Sequence, residues 1–439
     1  MFELKCGFAQ RAMTPVPEHV YLDGYGFRLT PAEGVHDPLY VKACAIECGE
    51  KKFALLSFDI CGMSAAVYDY VSGHIEDLTG LERSQFALTC THTHAAPACG
   101  VLAGLPIQWD WLAFAAEMAS EAVNEAYSTT QAGQFSFSIV GDLEHVYNRR
   151  GRAPLDRRIR CGVFAGEDGK IRGILASAAC HAVVNKTMNI SADFISVLTQ
   201  EAEQRYPGVP AIFISGRGSD TNPHNPDGLP METLLATLGH DLADQVLNYA
   251  DAVSGQTMKA VALEILSDYR FTNVPMKPFT PADVCRQEIK KLTEAFKNEK
   301  EAVAKHFILR ELDYQRDVLK KIKKGETPDL TVPLQILVIK NTAVFVMLPF
   351  EVLTLTGHAI EDMLCARGFA PENIFVCGNS NSVNGYLAPY AEFEHGGYEV
   401  AGAAHWYGLA ECSVQSEQAV LNAIDDMLNA LCPEANKTV

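Results

Sequence analysis

Two histidines, His92 and His94, stand one residue apart where an apolar run gives way to proline and glycine, in the stretch ALTCTHTHAAPACG. In an extended chain, side chains two residues apart point to the same side of the backbone. We therefore expect both imidazoles to project into one pocket from a rigid strand end. Imidazole nitrogen is a common metal ligand, so the pair is a candidate metal site. The alternative is two hydrogen-bonded histidines at the edge of the core.

Other polar residues also follow apolar runs. His181 follows ILASAAC, Asp220 and Asn222 lie in GRGSDTNPH, Glu351 follows AVFVMLPF, and Tyr386 follows IFVCGNSNSVNG. In open α/β sheets, functional groups collect beyond the carboxyl ends of the strands, so these residues are expected to meet in one crevice. Two or three histidines and one carboxylate form the ligand set of a catalytic zinc site. A surface glutamate near a helix start is the alternative for Glu351.

Strands and helices alternate along the chain, and this pattern predicts an α/β fold. We expect a core of mixed sheet with flanking helices and the metal site at strand ends. The predicted helices cover 64–78, 111–130, 231–253 and 416–431, and the predicted strands lie within 51–63, 84–94, 160–182 (a hairpin turning at 167–170), 210–216, 330–351 (two strands joined near Lys340 and Asn341) and 373–390.

Residues 282–325 differ from the rest because they are highly charged with helical periodicity. We interpret them as a solvated helical insertion that projects from the core. A partner-binding arm is the alternative.

Composition excludes several classes of protein. The 439-residue chain has 36 Lys and Arg against 54 Asp and Glu, a net charge of −18 that repels nucleic acid and anionic lipid. It has no apolar run of about 18 residues for an integral membrane segment and no signal-peptide pattern at its start. The 13 cysteines lie mostly in apolar contexts without a CxxC pair. Reduced, buried thiols in a cytoplasmic protein are therefore expected.

Taken together, these motifs resemble those of the neutral/alkaline non-lysosomal ceramidases. The stretch THTHAAP is similar to the family's Thr-His-Thr-His-Ser-Gly-Pro, AACHAVV with SADF to a later strand-end histidine, and SDTNPH to a Gly-Asp-x-Ser-Pro-Asn loop. LPFE resembles the family's Pro-Gly-Glu, and GYLAPYAEFEHGGYE its tyrosine-rich segment. The sequence is therefore identified as a divergent, bacterial-type member. Residues 1–439 are expected to form a single catalytic domain, without the family's C-terminal β-sandwich domain.

The resemblance implies a zinc ion bound by His92, His181, Glu351 and Tyr386. The residues themselves do not single out a tyrosine ligand, and Tyr386 could equally be a packing aromatic. The implied zinc would make the protein a zinc-dependent amidohydrolase that cleaves a linear N-acyl (amide) bond by metal-activated water.

The resemblance also implies roles around the metal. His94 would be the acid/base group that faces the substrate, Tyr398 would lie near the scissile bond, and Arg149, in YNRRGR, would contact the substrate or its oxyanion. Asp193 and Asp220 are expected to orient the histidine ligands, as carboxylates often do in metal sites.

The sequence departs from the family pattern at a residue that matters for mechanism. Asn222 stands where the family loop has a serine, and Ser219 and Phe350 replace family glycines. Asparagine can donate a hydrogen bond to an oxyanion but cannot form an acyl-enzyme. A lactone or sugar-ester hydrolase at the same site and a non-catalytic metal-binding protein are the alternatives. A Ser-His-Asp hydrolase is disfavoured because no GxSxG motif occurs.

The expected substrate is a small soluble molecule rather than a two-tailed lipid. The sequence has no lipidation motif, and its negative charge opposes an anionic membrane surface. Several polar residues near the expected pocket suit a hydroxyl-rich ligand, although they could be turn formers instead: Asn225, Asp227, Asn379, Ser380, Asn381, Ser382 and Asn384. Assembly into a homo-oligomer stays open.

Overall fold

The computed structural model describes residues 2–102, 104–152, 154–256 and 262–433. Its strands are β1 Phe2–Ala12, β2 Gly34–Val35, β3 Tyr40–Cys48, β4 Lys51–Phe58, β5 Phe86–Cys90, β6 Gln131–Asp142, β7 Val146–Asn148, β8 Arg158–Gly166, β9 Ile171–Ala178, β10 Asn189–Ile190, β11 Ala211–Ser215, β12 Thr221–Pro223, β13 Ala262–Leu263, β14 Ile265–Val274, β15 Leu330–Ile339, β16 Ala343–Met347, β17 Glu351–Val352, β18 Ile374–Cys377 and β19 Tyr386–Leu387. Its α-helices are α1 Ala65–Thr79, α2 Trp109–Ser128, α3 Ile195–Arg205, α4 Met231–Val253, α5 Ala282–Asn298, α6 Ala302–Lys324, α7 Thr354–Cys365 and α8 Ser416–Leu431.

A large mixed sheet forms the first half of the molecule. Its strands follow the order β11-β9-β8-β6-β1-β3-β4-β5, and β13 pairs with the end of β1. The outermost pairs, β4 with β5 and β9 with β11, are parallel, whereas the inner pairs are antiparallel. The parallel pairs need crossover connections, which α1 and α3 provide on one face of the sheet.

The second half carries a smaller sheet in the order β14-β15-β16-β18. The two sheets pack against each other through a layer rich in phenylalanine, which includes Phe8, Phe164, Phe345 and Phe375. Each such side chain contributes roughly 1.5–3 kcal/mol by leaving water. Because α1 to α4 cover the outer face of the large sheet and α7 and α8 that of the small one, the fold has four layers.

The predicted mixed α/β core with flanking helices is confirmed. Four long strands were missed, namely β1, β3, β6 and β14. In β1, β6 and β14, charged and polar residues interrupt the apolar run because part of each strand is exposed to solvent. The predicted turn near Asn341 is present, and that residue has a φ of +60°.

The charged region 282–325 folds into α5 and α6, which pack against each other as a hairpin. Its own small core consists of Cys285, Tyr314 and Val318. All 13 cysteines are free thiols, and only Cys365 and Cys432 are less than fully buried. No helix within the described ranges combines the length and hydropathy needed to span a membrane.

Candidate metal centre

The loop that follows β5 carries the two neighbouring histidines. His92 adopts a left-handed backbone conformation with φ of +65°, which is uncommon for a residue with a side chain. Its N–H donates to the Ile60 carbonyl at 3.0 Å, and the N–H of His94 donates to the Ala182 carbonyl at 3.1 Å. The two imidazoles do meet, with their Nε2 atoms 3.4 Å apart. The expectation of an extended chain was wrong, because a left-handed turn brings the rings together.

Main-chain carbonyls orient the first two candidate ligands. Nδ1 of His92 lies 2.6 Å from the Cys61 carbonyl oxygen. Nδ1 of His181, which follows β9, lies 3.2 Å from the carbonyl oxygens of both Gly218 and Thr221. An Nδ1–H that donates to a carbonyl leaves Nε2 as an unprotonated donor, the form that binds a metal. Both Nε2 atoms therefore present lone pairs to the same space.

Glu351 is the third member of the group. It lies in β17, is 1% exposed, and its Oε2 is 3.2 Å from His181 Nε2 and 3.4 Å from His92 Nε2. One ligand atom from each of these three residues lies within 4.8 Å of the others. The alternative of a surface glutamate is wrong, because this carboxylate is buried and faces two imidazoles.

The charges of the group suit a cation. Burial opposes a charge on Glu351, but His92 and His181 outweigh it and hold the pKa of this carboxyl well below its usual range. Burial lowers the pKa of His92, but Glu351 outweighs burial and raises it. Burial and Arg149 lower the pKa of His181 to about 4. Burial, His92 and His181 lower the pKa of His94 well below its ordinary value, so that its imidazole is neutral at pH 7.

The donor set therefore fits a divalent metal. Two imidazole nitrogens and a carboxylate oxygen that face one point repel each other unless a proton or a cation lies between them. Nitrogen and carboxylate donors in this number match zinc with an open position. Among the described residues, Cys61, His92 and His94 form a second group that could hold an ion, and it shares His92 with the first.

Tyr386 lies in β19, in register with Glu351 of β17. Arg149 donates to its phenol oxygen at 3.0 Å and to Glu399 at 2.8 Å. Burial and Glu351 raise the pKa of Tyr386, so the phenol is protonated here, and its predicted role as a metal ligand stays a prediction.

Tyr398 borders the same cluster at the surface. Its ring centre is 5.8 Å from that of Tyr386, and the guanidinium of Arg149 lies 5.9 Å from the Tyr398 ring. Tyr398 is 46% exposed, so a substrate can reach it from solvent.

The two predicted orienting carboxylates do not contact the histidines. Asp193 accepts hydrogen bonds from the N–H groups of Asn185 and Phe194. Asp220 accepts from Thr354 and from the Asn148 amide. The expectation of carboxylate–histidine pairs was wrong, because main-chain carbonyls occupy the Nδ1 positions. Asp220 instead joins the loop that holds His181 to the start of α7.

His94 and Asn222 each have a buried polar atom without a hydrogen-bond partner among the described residues. For His94 this atom is Nδ1. The His94 ring packs edge-on against the Tyr25 ring, with ring centres 5.2 Å apart. For Asn222 it is Oδ1, on β12 beside the carbonyl of Thr221 that holds His181. Such orphaned atoms are expensive in a folded core, so they favour a ligand or water at these positions. Gly24, with φ of +89°, packs so closely on His94 that any Cβ would collide with its ring.

The polar run after β18 is structural. Asn381 accepts from the Leu88 N–H and donates to Gln335, while Asn384 donates to the Pro349 carbonyl. Asn379 and Asn381 both have positive φ, as turn-forming asparagines do. The side chains of Asn381 and Asn384 bind the protein itself, so the turn-forming alternative holds for these two. Asn225 likewise closes a local turn with Leu229, and Asp227 is exposed.

Sequence reasoning missed Tyr407, whose hydroxyl donates to Oε1 of Glu351. Burial and Glu351 raise the pKa of this phenol, which keeps it protonated as a donor. Its position, nine residues after Tyr398 in HWYG, carries no recognisable motif, so only the fold reveals the contact.

This fold is one that the chain shares with solved structures of ceramidases. The similarity lies in the fold alone, because the sequences are far apart. A structure of neutral ceramidase from Pseudomonas aeruginosa superposes with a TM-score of 0.76 at 17% identity, covering 98% of this chain and 75% of that one. A ceramidase complexed with C2 gives a TM-score of 0.76 at 16% identity with the same coverage. No protein-family model and no curated protein matches the sequence.

Proposed function

We propose that this protein is a zinc-dependent amidohydrolase, ceramidase-like in fold, that cleaves a linear N-acyl amide by metal-activated water. The observation that carries the proposal is the buried convergence of His92 Nε2, His181 Nε2 and Glu351 Oε2. The structural likeness to ceramidases supports it. Tyr386, in register with Glu351, is proposed as a fourth ligand that exchanges its bond to Arg149 for the metal.

When bound, zinc lowers the pKa of a water molecule towards about 7 and polarises a substrate carbonyl. The protein's own side chains transfer the proton and stabilise the developing negative charge. His94, neutral and next to His92, accepts a proton and returns it to the leaving amine. Arg149, Tyr398 and the Asn222 amide stabilise the oxyanion as hydrogen-bond donors in a partly buried site.

The surroundings of Tyr398 favour a polar substrate. A cavity of about 470 Å³ opens beside it, lined by Arg149, Arg150, Arg152, His395 and Glu399, with Gly396 and Gly397. These arginines pair with Glu392 and Glu399, so the cavity is lined by charged and hydrogen-bonding groups, which suit a soluble molecule better than a two-tailed lipid. We therefore propose a small soluble amide or ester as the substrate.

A metal assay with a substrate panel tests the proposal. We expect one zinc per purified chain, and His92→Ala and His181→Ala should each lose most of it and at least about 10²-fold in kcat while staying folded by circular dichroism. His240→Ala removes an exposed histidine and should change neither property.

The panel contains linear N-acyl amines, lactones and sugar esters. Stoichiometric zinc in both histidine variants would refute the ligand assignment. Zinc without turnover of any substrate would favour a metal-binding protein, and turnover of lactones or sugar esters alone would replace the amidase with the alternative hydrolase.

A further inference from the structure

The charged hairpin of α5 and α6 is more than a solvated insertion, because one face of α6 holds a turn of the chain next to the metal centre. The turn is Ala404–Tyr407. Glu311 of α6 lies 2.8 Å from Nδ1 of His405, and the ring of Tyr314 stacks on the His405 ring at 3.9 Å. Burial opposes ionisation of Glu311, but His405 and Gln315 outweigh it and lower the pKa of Glu311. The carboxylate is therefore ionised when it meets His405.

Further contacts on the same face fix the turn on both sides. Phe307 packs edge-on against Trp406 with ring centres 5.3 Å apart. Lys321 donates to the carbonyl of Gly408 at 3.0 Å. Since positions 307, 311, 314 and 321 recur at helical spacing, a single stripe of α6 makes all these contacts.

The next residue of the turn, Tyr407, reaches the metal centre. Its hydroxyl donates to Oε1 of Glu351, while Oε2 of the same carboxylate faces His92 and His181. The two carboxylate oxygens of Glu351 therefore have different partners: Oε1 accepts from Tyr407, and Oε2 faces the histidines. Without this hydrogen bond, the carboxylate could rotate about its last torsion and turn either oxygen to the histidines.

We propose that Tyr407 is a positioning residue that fixes the carboxylate of Glu351 for metal binding, and that α6 keeps Tyr407 in place through Glu311 and Phe307. The inference rests on the metal site of the proposed function but not on any substrate or reaction. On this proposal the hairpin supports the metal centre indirectly. Within the described contacts, its residues touch the turn that carries Tyr407 and not the proposed ligands.

Zinc affinity, measured by competition with a chelator and without substrate, tests the proposal. Tyr407→Phe keeps the ring and removes the hydroxyl, and we expect zinc to bind about 10- to 100-fold more weakly. Glu311→Gln should weaken binding in the same direction by about 2- to 10-fold. The matched control is Glu294→Gln on the exposed side of α5, which removes the same charge and should leave zinc affinity unchanged.

The double variant separates positioning from a general loss of stability. If α6 acts through Tyr407, Tyr407→Phe with Glu311→Gln should bind zinc about as weakly as Tyr407→Phe alone. Full additivity would overturn the role of α6, and unchanged affinity in Tyr407→Phe would overturn the role of Tyr407. Should Tyr407→Phe fold poorly, Glu311→Gln at the half-buried Glu311 still decides, because wild-type zinc affinity in that variant contradicts the proposal. A wild-type chain that binds no zinc would refute the proposed function and this inference together, whereas zinc binding without amide hydrolysis would refute the hydrolase alone.

Discussion

At the scale of single residues, His92 combines backbone strain with a fixed ring. A left-handed conformation costs a residue with a side chain roughly 1–3 kcal/mol, and it persists only when its surroundings enforce it. The Ile60 carbonyl holds the His92 N–H, and the Cys61 carbonyl holds its Nδ1. Because neighbouring main-chain atoms fix both the backbone and the ring of His92, the protein itself sets the direction in which Nε2 points. Such preorganisation is what a metal ligand requires.

Asn222 leads to a prediction about the reaction path. Its side chain cannot form an acyl ester, and the proposed nucleophile is metal-activated water, so we expect no covalent intermediate on the chain. Protein incubated with an activated acyl substrate and quenched during turnover should keep its unmodified mass by intact-mass spectrometry. A serine hydrolase treated in parallel provides the positive control. A stable acyl adduct on any residue would contradict catalysis by water alone.

At the scale of elements, the proposed ligands come from both sheets. His92 and His181 follow β5 and β9 of the large sheet, whereas Glu351 lies in β17, close after β16 of the small one. The centre therefore depends on how the two sheets pack. The phenylalanine layer between them fixes this packing.

The contacts of His36 with Asp37 and with Glu232 should stabilise the fold in a pH-dependent way. His36, directly after β2, places Nδ1 2.7 Å from Asp37 and Nε2 2.8 Å from Glu232 at the start of α4. Burial lowers the pKa of His36, but the two carboxylates outweigh this effect and raise the pKa above its ordinary value. The folded protein thus binds this proton more tightly than the unfolded chain. The resulting stability is fully present below the unfolded histidine pKa of about 6.5 and is lost as pH rises through the folded pKa.

We therefore expect His36→Gln to destabilise the protein more at about pH 6 than at about pH 9. The difference in unfolding free energy between wild type and variant should be larger at the lower pH by about 0.5–1.5 kcal/mol. Urea unfolding at both pH values measures it. His19→Gln, at an exposed histidine that forms no ion pair among the described contacts, serves as the control. An equal or larger difference at the higher pH would show that the charged pair contributes nothing.

At the scale of the whole molecule, the charge of −18 affects which surfaces and substrates the protein can approach. From this charge we expect repulsion of anionic membranes and nucleic acid over roughly one Debye length, about 8 Å at physiological salt. The arginines that line the cavity beside Tyr398 pair with Glu392 and Glu399, so this surface is charged but balanced. The proposed soluble substrate would enter there without the protein docking on a lipid surface.

The corresponding prediction concerns relative substrate preference. We expect kcat/KM for soluble N-acyl amines or lactones to exceed that for detergent-dispersed ceramides, for both short and long acyl chains. The same enzyme preparation, with its zinc content measured, should be used throughout so that metal loading does not bias the ratio. Long-chain ceramide favoured by an order of magnitude or more would contradict the soluble-substrate proposal and favour a ceramidase acting on lipid.

The sequence by itself determined which residues were candidates and the class of fold. Apolar runs that end in polar residues mark strand ends, and this pattern predicted that His92, His181 and Glu351 would meet in one crevice with other polar residues. The resemblance to ceramidases singled them out as metal ligands. The tertiary structure decided which atoms face each other. Carbonyl groups of Cys61 and Gly218 orient the histidines, and Tyr407 holds Glu351 from 56 residues further along the chain. A main-chain carbonyl is the same at every residue, and a lone tyrosine has no characteristic spacing. Neither leaves a pattern in the sequence, so their roles follow only from the packing of distant segments.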